Sequence, residues 1–331
     1  MMEENNKIPF VNTIQCGDNL TLIKSIPDKS IDLIITSPPY YLQRDYGGGS
    51  IGGEKKVESY IDALLELFGE CVRVIKPEGS IVYNIGDKYI HSSLLLAPYR
   101  FAIKALDKYN VILVNDITWI KPNPTPRQYK KRLVSSTEPF FHFVTSKDYI
   151  YNIDEFNKKD KKIKKSQNTN MGAKYFKLIK ESQLTQDQKD LAAKELTEVI
   201  EKVKNGEIDS FRMKIKGIHS LPFGGQQGGR MQQLDRKGFT IIEIYGNNIK
   251  RDIIESPVES IKGNIHPAIF PEKIIIELIN LLTPRNGIVL DPYMGSGTTA
   301  IASIKAGRNY IGFEIIPEFC DFADNRIKKL I

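Results

Sequence analysis

The chain has 331 residues, a formal net charge of +7 and 41% hydrophobic residues, enough for about two domains or one large domain with an inserted lobe. Its three cysteines, Cys16, Cys71 and Cys320, are far apart with no C-x-x-C pair, and its four histidines do not cluster, which argues against a disulfide framework and a metal centre. The polar opening MMEENNKIPF is no signal peptide, and no apolar run approaches the roughly 20 residues of a membrane span, so a cytoplasmic setting without membrane contact is expected. The basic balance fits a polyanionic partner.

In chain order, residues 11–18 read as a strand ending in Gly17-Asp18, and 31–36 (IDLIIT) as a buried strand stopped by Ser37-Pro38-Pro39-Tyr40. Helical spacing runs from Tyr60 to Ile75, Lys76-Pro77-Glu78-Gly79 follows, and 80–86 returns to strand character. Residues 92–106 read as a helix, and 111–120 and 140–145 as strands. The character then changes. Residues 158–165 hold six lysines, a helix from Thr185 to Lys204 opens on a Thr185/Gln188 capping box, the glycine-rich LPFGGQQGGR at 221–230 reads as a flexible loop that could also approach DNA, and polar, irregular sequence follows to about 262. Beyond it come helix 271–282, strand 287–291, helix 298–306, strand 309–314 and a closing helix 317–330. Alternation of this kind predicts an α/β fold with ligands at the C-terminal ends of the strands.

Two segments carry chemistry. In Asp291-Pro292-Tyr293-Met294-Gly295-Ser296-Gly297-Thr298-Thr299, glycines follow a strand and precede a helix, so the backbone can approach a ligand beside free N–H groups. Glu314, one strand further on, is placed to accept hydrogen bonds from ribose hydroxyls. No lysine follows the glycines, which excludes a P-loop. In Ser37-Pro38-Pro39-Tyr40, a hydroxyl, a rigid carbonyl and an aromatic ring stand side by side, a set that can hold an amino group and stack on the base that bears it.

Together these segments resemble the catalytic and cofactor motifs of the amino-DNA methyltransferases. With the catalytic motif first, the cofactor motif last and a variable lobe between, the order resembles the circularly permuted β group. The resemblance extends through Gly17-Asp18, Arg73 to Gly79, Trp119 to Asn123 and His266 to Pro271. It implies a Rossmann-like S-adenosylmethionine-dependent methyltransferase fold, a mostly parallel sheet flanked by helices, with catalytic and cofactor halves at 1–152 and 263–331 and an inserted target-recognition lobe at 153–262. It implies S-adenosyl-L-methionine as cofactor, held by Asp291, Pro292, Tyr293, Gly295, Gly297, Thr298 and Glu314. Asp18 would lie near the adenine, with a helix N-cap as its other reading, and His266 near the methionine end, with a packing role as its other reading. Ser37 and Pro38 would accept hydrogen bonds from the target amine, with Pro39 shaping the loop, and Tyr40 would stack on a base flipped out of duplex DNA. No metal and no cysteine nucleophile are needed, and all three cysteines read as packing residues.

Serine at the head of the catalytic motif, with Arg44-Asp45-Tyr46-Gly47 after it, resembles cytosine-N4 enzymes; adenine N6 is the alternative target. Lys121, Arg127, Lys161, Lys162, Gln226, Gln227 and Arg230 are the expected DNA contacts. A homodimer and a cognate restriction endonuclease are compatible partners. A non-catalytic DNA-binding protein and an RNA or small-molecule methyltransferase are the rival readings.

Overall fold

The computed structural model describes residues 8–43, 51–124, 129–153, 155–156, 171–219, 229–244, 251–259 and 271–330. The chain divides into two compact units, one of Met1–Lys158 with Arg251–Ile331 and one of Lys159–Lys250. The second is shorter than the expected 153–262 lobe, because residues 253–255 form an edge strand of the large sheet of the first.

The elements run β1 (Thr13–Cys16), α1 (Asn19–Leu22), β2 (Ile31–Thr36), α2 (Val57–Val74), β3 (Ile75–Asn84), β4 (Tyr89–Ile90), β5 (Ser93–Leu94), α3 (Ala97–Lys108), β6 (Ile112–Ile120) and β7 (Thr137–Val144). Then follow α4 (Ala173–Glu181), α5 (Gln186–Asn205), β8 (Ser210–Ile215), α6 (Gly229–Lys237) and β9 (Phe239–Ile244). The chain closes with β10 (Ile253–Glu255), α7 (Glu272–Leu282), β11 (Ile288–Asp291), α8 (Thr298–Lys305), β12 (Asn309–Glu314) and α9 (Pro317–Lys328).

Eight strands form one sheet in the order β1-β12-β11-β2-β3-β7-β6-β10. Only β7 runs against its neighbours, β3 and β6; every other pairing is parallel. This is the mostly parallel, Rossmann-like architecture expected. Strand β2 is buried along its whole length, which is why it reads as an unbroken apolar run. Ile34 packs with Tyr60, Leu64, Phe68 and Phe101 of α2 and α3, whereas Leu33 and Ile35 pack with Ile275, Leu278 and Ile279 of α7. Helices therefore cover both faces and leave the strand ends as the open rim.

Two expectations for this unit change. The strand expected at 80–86 starts earlier, at Ile75, and Lys76 to Gly79 form a bulge within it: pairing with β2 jumps from Ile31–Ile75 to Leu33–Ser80. Lys76 Nζ holds Asp32 at 2.7 Å, and a Cβ on Gly79 would lie 2.8 Å from the Asp32 carbonyl, so the bulge needs its glycine. The helix expected from residue 92 begins at Ala97, with Pro98 in its first turn, after the small β4–β5 hairpin.

In the second unit, α5 starts as expected, with both halves of the Thr185/Gln188 capping box formed, and ends on left-handed Gly206. Part of the sequence expected to be irregular is ordered: β9 pairs antiparallel with β8, with α6 between them in the chain. Met213, Ile215 and Phe239 of that strand pair cluster with Ala192, Leu196 and Ile200 of α5 and Ile179 of α4. Helix α5 is thus a packing element. Among the described residues no helix is long and apolar enough to cross a membrane.

Candidate active site

Strands β2 and β11 lie side by side, with Leu33 opposite Val289 and Ile34 opposite Leu290. The proline loop and the glycine turn therefore leave the sheet next to each other. Thr36, the last residue of β2, donates its hydroxyl proton to Asp291 Oδ1 at 2.6 Å. Asp291 also accepts from Thr299 Oγ1 at 2.6 Å and from the Tyr293 amide at 3.0 Å. Burial pushes the Asp291 carboxyl up to about 6, although the three hydrogen bonds pull the other way. Asp291 thus fastens β2, which runs into the proline loop, to the glycine turn.

Gly295 and Gly297 both take left-handed conformations, with φ of 52° and 81°. At Gly297 a Cβ would lie 2.8 Å from Ala323 Cβ, so α9 can pack against the turn only because a glycine is there. Gly297 caps α8, and Arg326 from α9 donates to the Ser296 carbonyl. Glu314 ends β12 opposite Cys16 of β1. Its two carboxylate oxygens accept from the Gly295 and Ile316 amides, each at 2.9 Å, and burial raises its pKa. The Ile315 amide donates to the same carboxylate, so three backbone N–H groups orient it and part of its acceptor capacity remains for a ligand hydroxyl. Asn19 Nδ2 donates to the Pro292 carbonyl at 3.0 Å, tying α1 to the same turn. Asp18 serves as the N-cap of α1: its carboxylate accepts from the Thr21 amide at 2.8 Å and the Thr21 hydroxyl at 2.7 Å.

In the proline loop, Pro38 is buried while Ser37, Pro39 and Tyr40 are half-buried. The Pro39 carbonyl accepts from the Tyr60 hydroxyl at 2.9 Å, which anchors the loop to α2. Ser37 Oγ lies 3.2 Å from the Tyr40 hydroxyl and 3.4 Å from Asn84 Oδ1, and donates toward them. Tyr40 donates to Asn84 Oδ1 at 2.6 Å, and Glu138 Oε2 lies 3.0 Å from the same hydroxyl. Asn84 Nδ2 donates to the Pro139 carbonyl at 2.9 Å, which turns the amide oxygen toward Tyr40. The proton of Ser37 is thereby given acceptors within the protein, and its lone pairs are left for a donor from outside. Gly86 supports the Tyr40 ring with its backbone: a Cβ there would come within 2.3 Å of ring carbons.

Lys121, expected as a DNA contact, forms an ion pair with Glu138, and its ammonium lies 4.5 Å from the centre of the Trp119 ring. Arg230 is exposed in the first turn of α6 rather than in a glycine loop. Cys71 and Cys320 are buried as packing residues, but Cys16 is exposed, because β1 is an edge strand. His266, Arg127, Lys161, Lys162, Gln226, Gln227 and the stretch Arg44 to Gly47 lie outside the described residues. The sequence gives no signal for Asn84, Glu138 or Asn19. Thr36 stands at the head of the Thr36-Ser37-Pro38-Pro39-Tyr40 motif, but its bond to Asp291 is visible only in the fold.

A family model described as DNA methylase, of the N6/N4 class, matches residues 31–325. Type II methyltransferase M.SfiI of Streptomyces fimbriatus is 26% identical over 90% of this chain and 87% of its own length. Type II methyltransferase M.PvuII of Proteus hauseri is 27% identical over 95% of this chain and 84% of its own. Among solved structures, the cytosine-N4-specific PvuII DNA methyltransferase superposes with a TM-score of 0.60 at 19% identity, over 95% of this chain and 85% of that one. A putative DNA modification methylase from Thermus thermophilus, complexed with S-adenosyl-L-methionine, gives 0.54 at 20% identity, over 96% and 95%. With a family model spanning all but the two ends, a sheet of the matching fold and the two motifs meeting on one rim, the chain belongs to the N6/N4 DNA methylase family.

Proposed function

We propose that the protein is a site-specific DNA methyltransferase that uses S-adenosyl-L-methionine to methylate the exocyclic N4 of cytosine in duplex DNA. The observation that carries this reading is the meeting of the proline loop and the glycine turn at Thr36 and Asp291. The donor set fits the cofactor: a glycine turn at a helix N-terminus presents N–H groups, and Glu314 sets a buried carboxylate at the end of β12 where a ribose hydroxyl can reach it. When bound, that cofactor supplies an electrophilic methyl group on a sulfonium.

The protein's own residues prepare the nucleophile. An exocyclic amine delocalises its lone pair into the base. Ser37 accepts one amine hydrogen, since its own proton is directed to Tyr40 and Asn84. The Pro38 carbonyl accepts the other. Two acceptors on one side pull the nitrogen toward tetrahedral geometry and free its lone pair. Tyr40, with its ring on Gly86 and its hydroxyl on Asn84, is a rigid platform for a base flipped from the duplex.

Cytosine N4 is preferred over adenine N6 because serine heads the motif and because a structural neighbour is the cytosine-N4-specific PvuII enzyme. The lobe at 159–250, with Arg230 and the residues around it, is the proposed reader of the site. A cognate restriction endonuclease is its proposed counterpart, supported by the type II names of the relatives. The test is to incubate purified protein with unmodified DNA and methyl-labelled cofactor and to analyse the nucleosides by mass spectrometry. N4-methylcytosine is expected. N6-methyladenine alone would reassign the base, and no methylated nucleoside would overturn the function.

A further inference from the structure

Packing does not account for Leu133. It is 90% exposed, whereas the next most exposed large apolar residue among those described, Ile103, is at 61%. The segment around it is nevertheless held firmly. Tyr129 and Arg132 form a β-bridge, and the Arg132 guanidinium lies 3.8 Å from the ring centres of both Tyr129 and Tyr89. Tyr89 opens the β4–β5 hairpin, and the two residues before it are tied to the catalytic loop. Lys88 donates to the Leu42 carbonyl, and the Asp87 carbonyl accepts from Gln43 Nε2 at 2.8 Å. On the other side, the Ser136 carbonyl accepts from the Lys121 amide at 2.8 Å, and Glu138 meets Tyr40. Leu133 is therefore an apolar side chain presented to solvent on a braced turn, linked both upstream and downstream to the loop that carries Ser37 and Tyr40. Lys130, Lys131 and Arg132 directly precede it, three consecutive cations that match a phosphate backbone.

We propose that Leu133 is the wedge that enters the base stack where the target base leaves it. The inference rests on the methyltransferase reading above. Extruding a base leaves a stacking gap, and an apolar side chain that fills the gap holds the duplex open. A leucine suits this task because it needs no hydrogen-bond partner there. The clamp of Arg132 between two rings fixes its approach, and the adjoining cations suit the phosphates on either side of the gap.

The test compares wild type with Leu133→Ala in single-turnover methyl transfer to two duplexes bearing the target site, mapped beforehand by sequencing modified DNA. One duplex is fully paired; the other places an abasic position opposite the target base. The expected result is a slowing of about tenfold or more on the paired duplex and less than about threefold on the abasic one, where extrusion is already easy. Leu133→Phe, which can also fill the gap, is expected to stay close to wild type on both. Thermal unfolding of both variants should match wild type, because the side chain contributes little to the core. Equal rates for Leu133→Ala and wild type on the paired duplex, or the same slowing on both duplexes, would overturn the wedge while leaving the methyltransferase reading intact. A wild type that methylates no DNA would overturn both.

Discussion

Thr36 and Asp291 stand 255 residues apart in sequence, yet the hydroxyl of one donates to the carboxylate of the other across 2.6 Å. The bond closes the seam between the strand that delivers the proline loop and the strand that delivers the glycine turn. Thr36→Val removes the donor and leaves a buried carboxylate oxygen short of a partner, so a loss of about 1–3 kcal/mol in stability is expected by urea denaturation. Unchanged stability would mean that the seam is held by the strands alone.

The same carboxylate makes stability depend on pH. Its folded-state pKa, about 6, lies above the ordinary value of 3.8, so between these two values the folded state binds the extra proton. Stability from this group is therefore greatest at the acid end of the window, falls as pH rises through it, and is constant above, a span of roughly 3 kcal/mol. Asp291→Asn cannot titrate. The stability difference between wild type and Asp291→Asn should shift in favour of wild type as pH falls from 7 to 5. A difference that stays constant would contradict the assignment.

Ser37→Ala removes one proposed acceptor for the target amine without touching the glycine turn. Methyl transfer should slow by on the order of 100-fold, as when a single preorganised polar group is lost from other active sites. Cofactor affinity, read by calorimetry, should remain near that of wild type. Asn84→Ala should share part of this defect, because Tyr40 and Ser37 both direct protons to Asn84.

Gly86→Ala tests the platform. The new methyl would collide with the Tyr40 ring and must push it from its place. Transfer should fall by on the order of tenfold or more, since small misplacements of a positioning group are costly. Near-UV circular dichroism should report the displaced tyrosine. Normal turnover would show that the ring's position is unimportant.

Glu138 and Lys121 form a pair that is mostly shielded from water, with side chains each 16% exposed. Glu138→Gln and Lys121→Met should each destabilise the protein. The double variant should cost less than the sum of the two, because neither charge is then left alone. Strict additivity would argue that the pair contributes nothing.

How much of this was legible beforehand depended on where each residue's partners lie. The limits of β2 and β12 match their sequence reading because each is an apolar run bounded by breakers. Helix α5 was legible because its capping box and Gly206 are local devices. The Lys76 to Gly79 bulge was not, since a bulge exists only relative to the pairing strand. Residues 253–255 make a strand of only three residues, too short to show a period of its own, although Ile254 is buried; the sequence therefore gives no signal that the lobe ends before it. In the site, Ser37, Tyr40 and Glu314 stand in motifs. Asn84 and Glu138 are single polar residues at strand ends, and their meaning comes from the side chain that reaches them across the rim.

The order β12-β11-β2-β3 also has a consequence for biosynthesis. A ribosome releases β2 long before β11, and until residues 288–291 emerge β2 has one edge without its neighbour. A nascent chain already bearing its proline loop therefore has no glycine turn beside it. The two loops can meet on one rim only after β11 has been made and has paired with the waiting edge of β2.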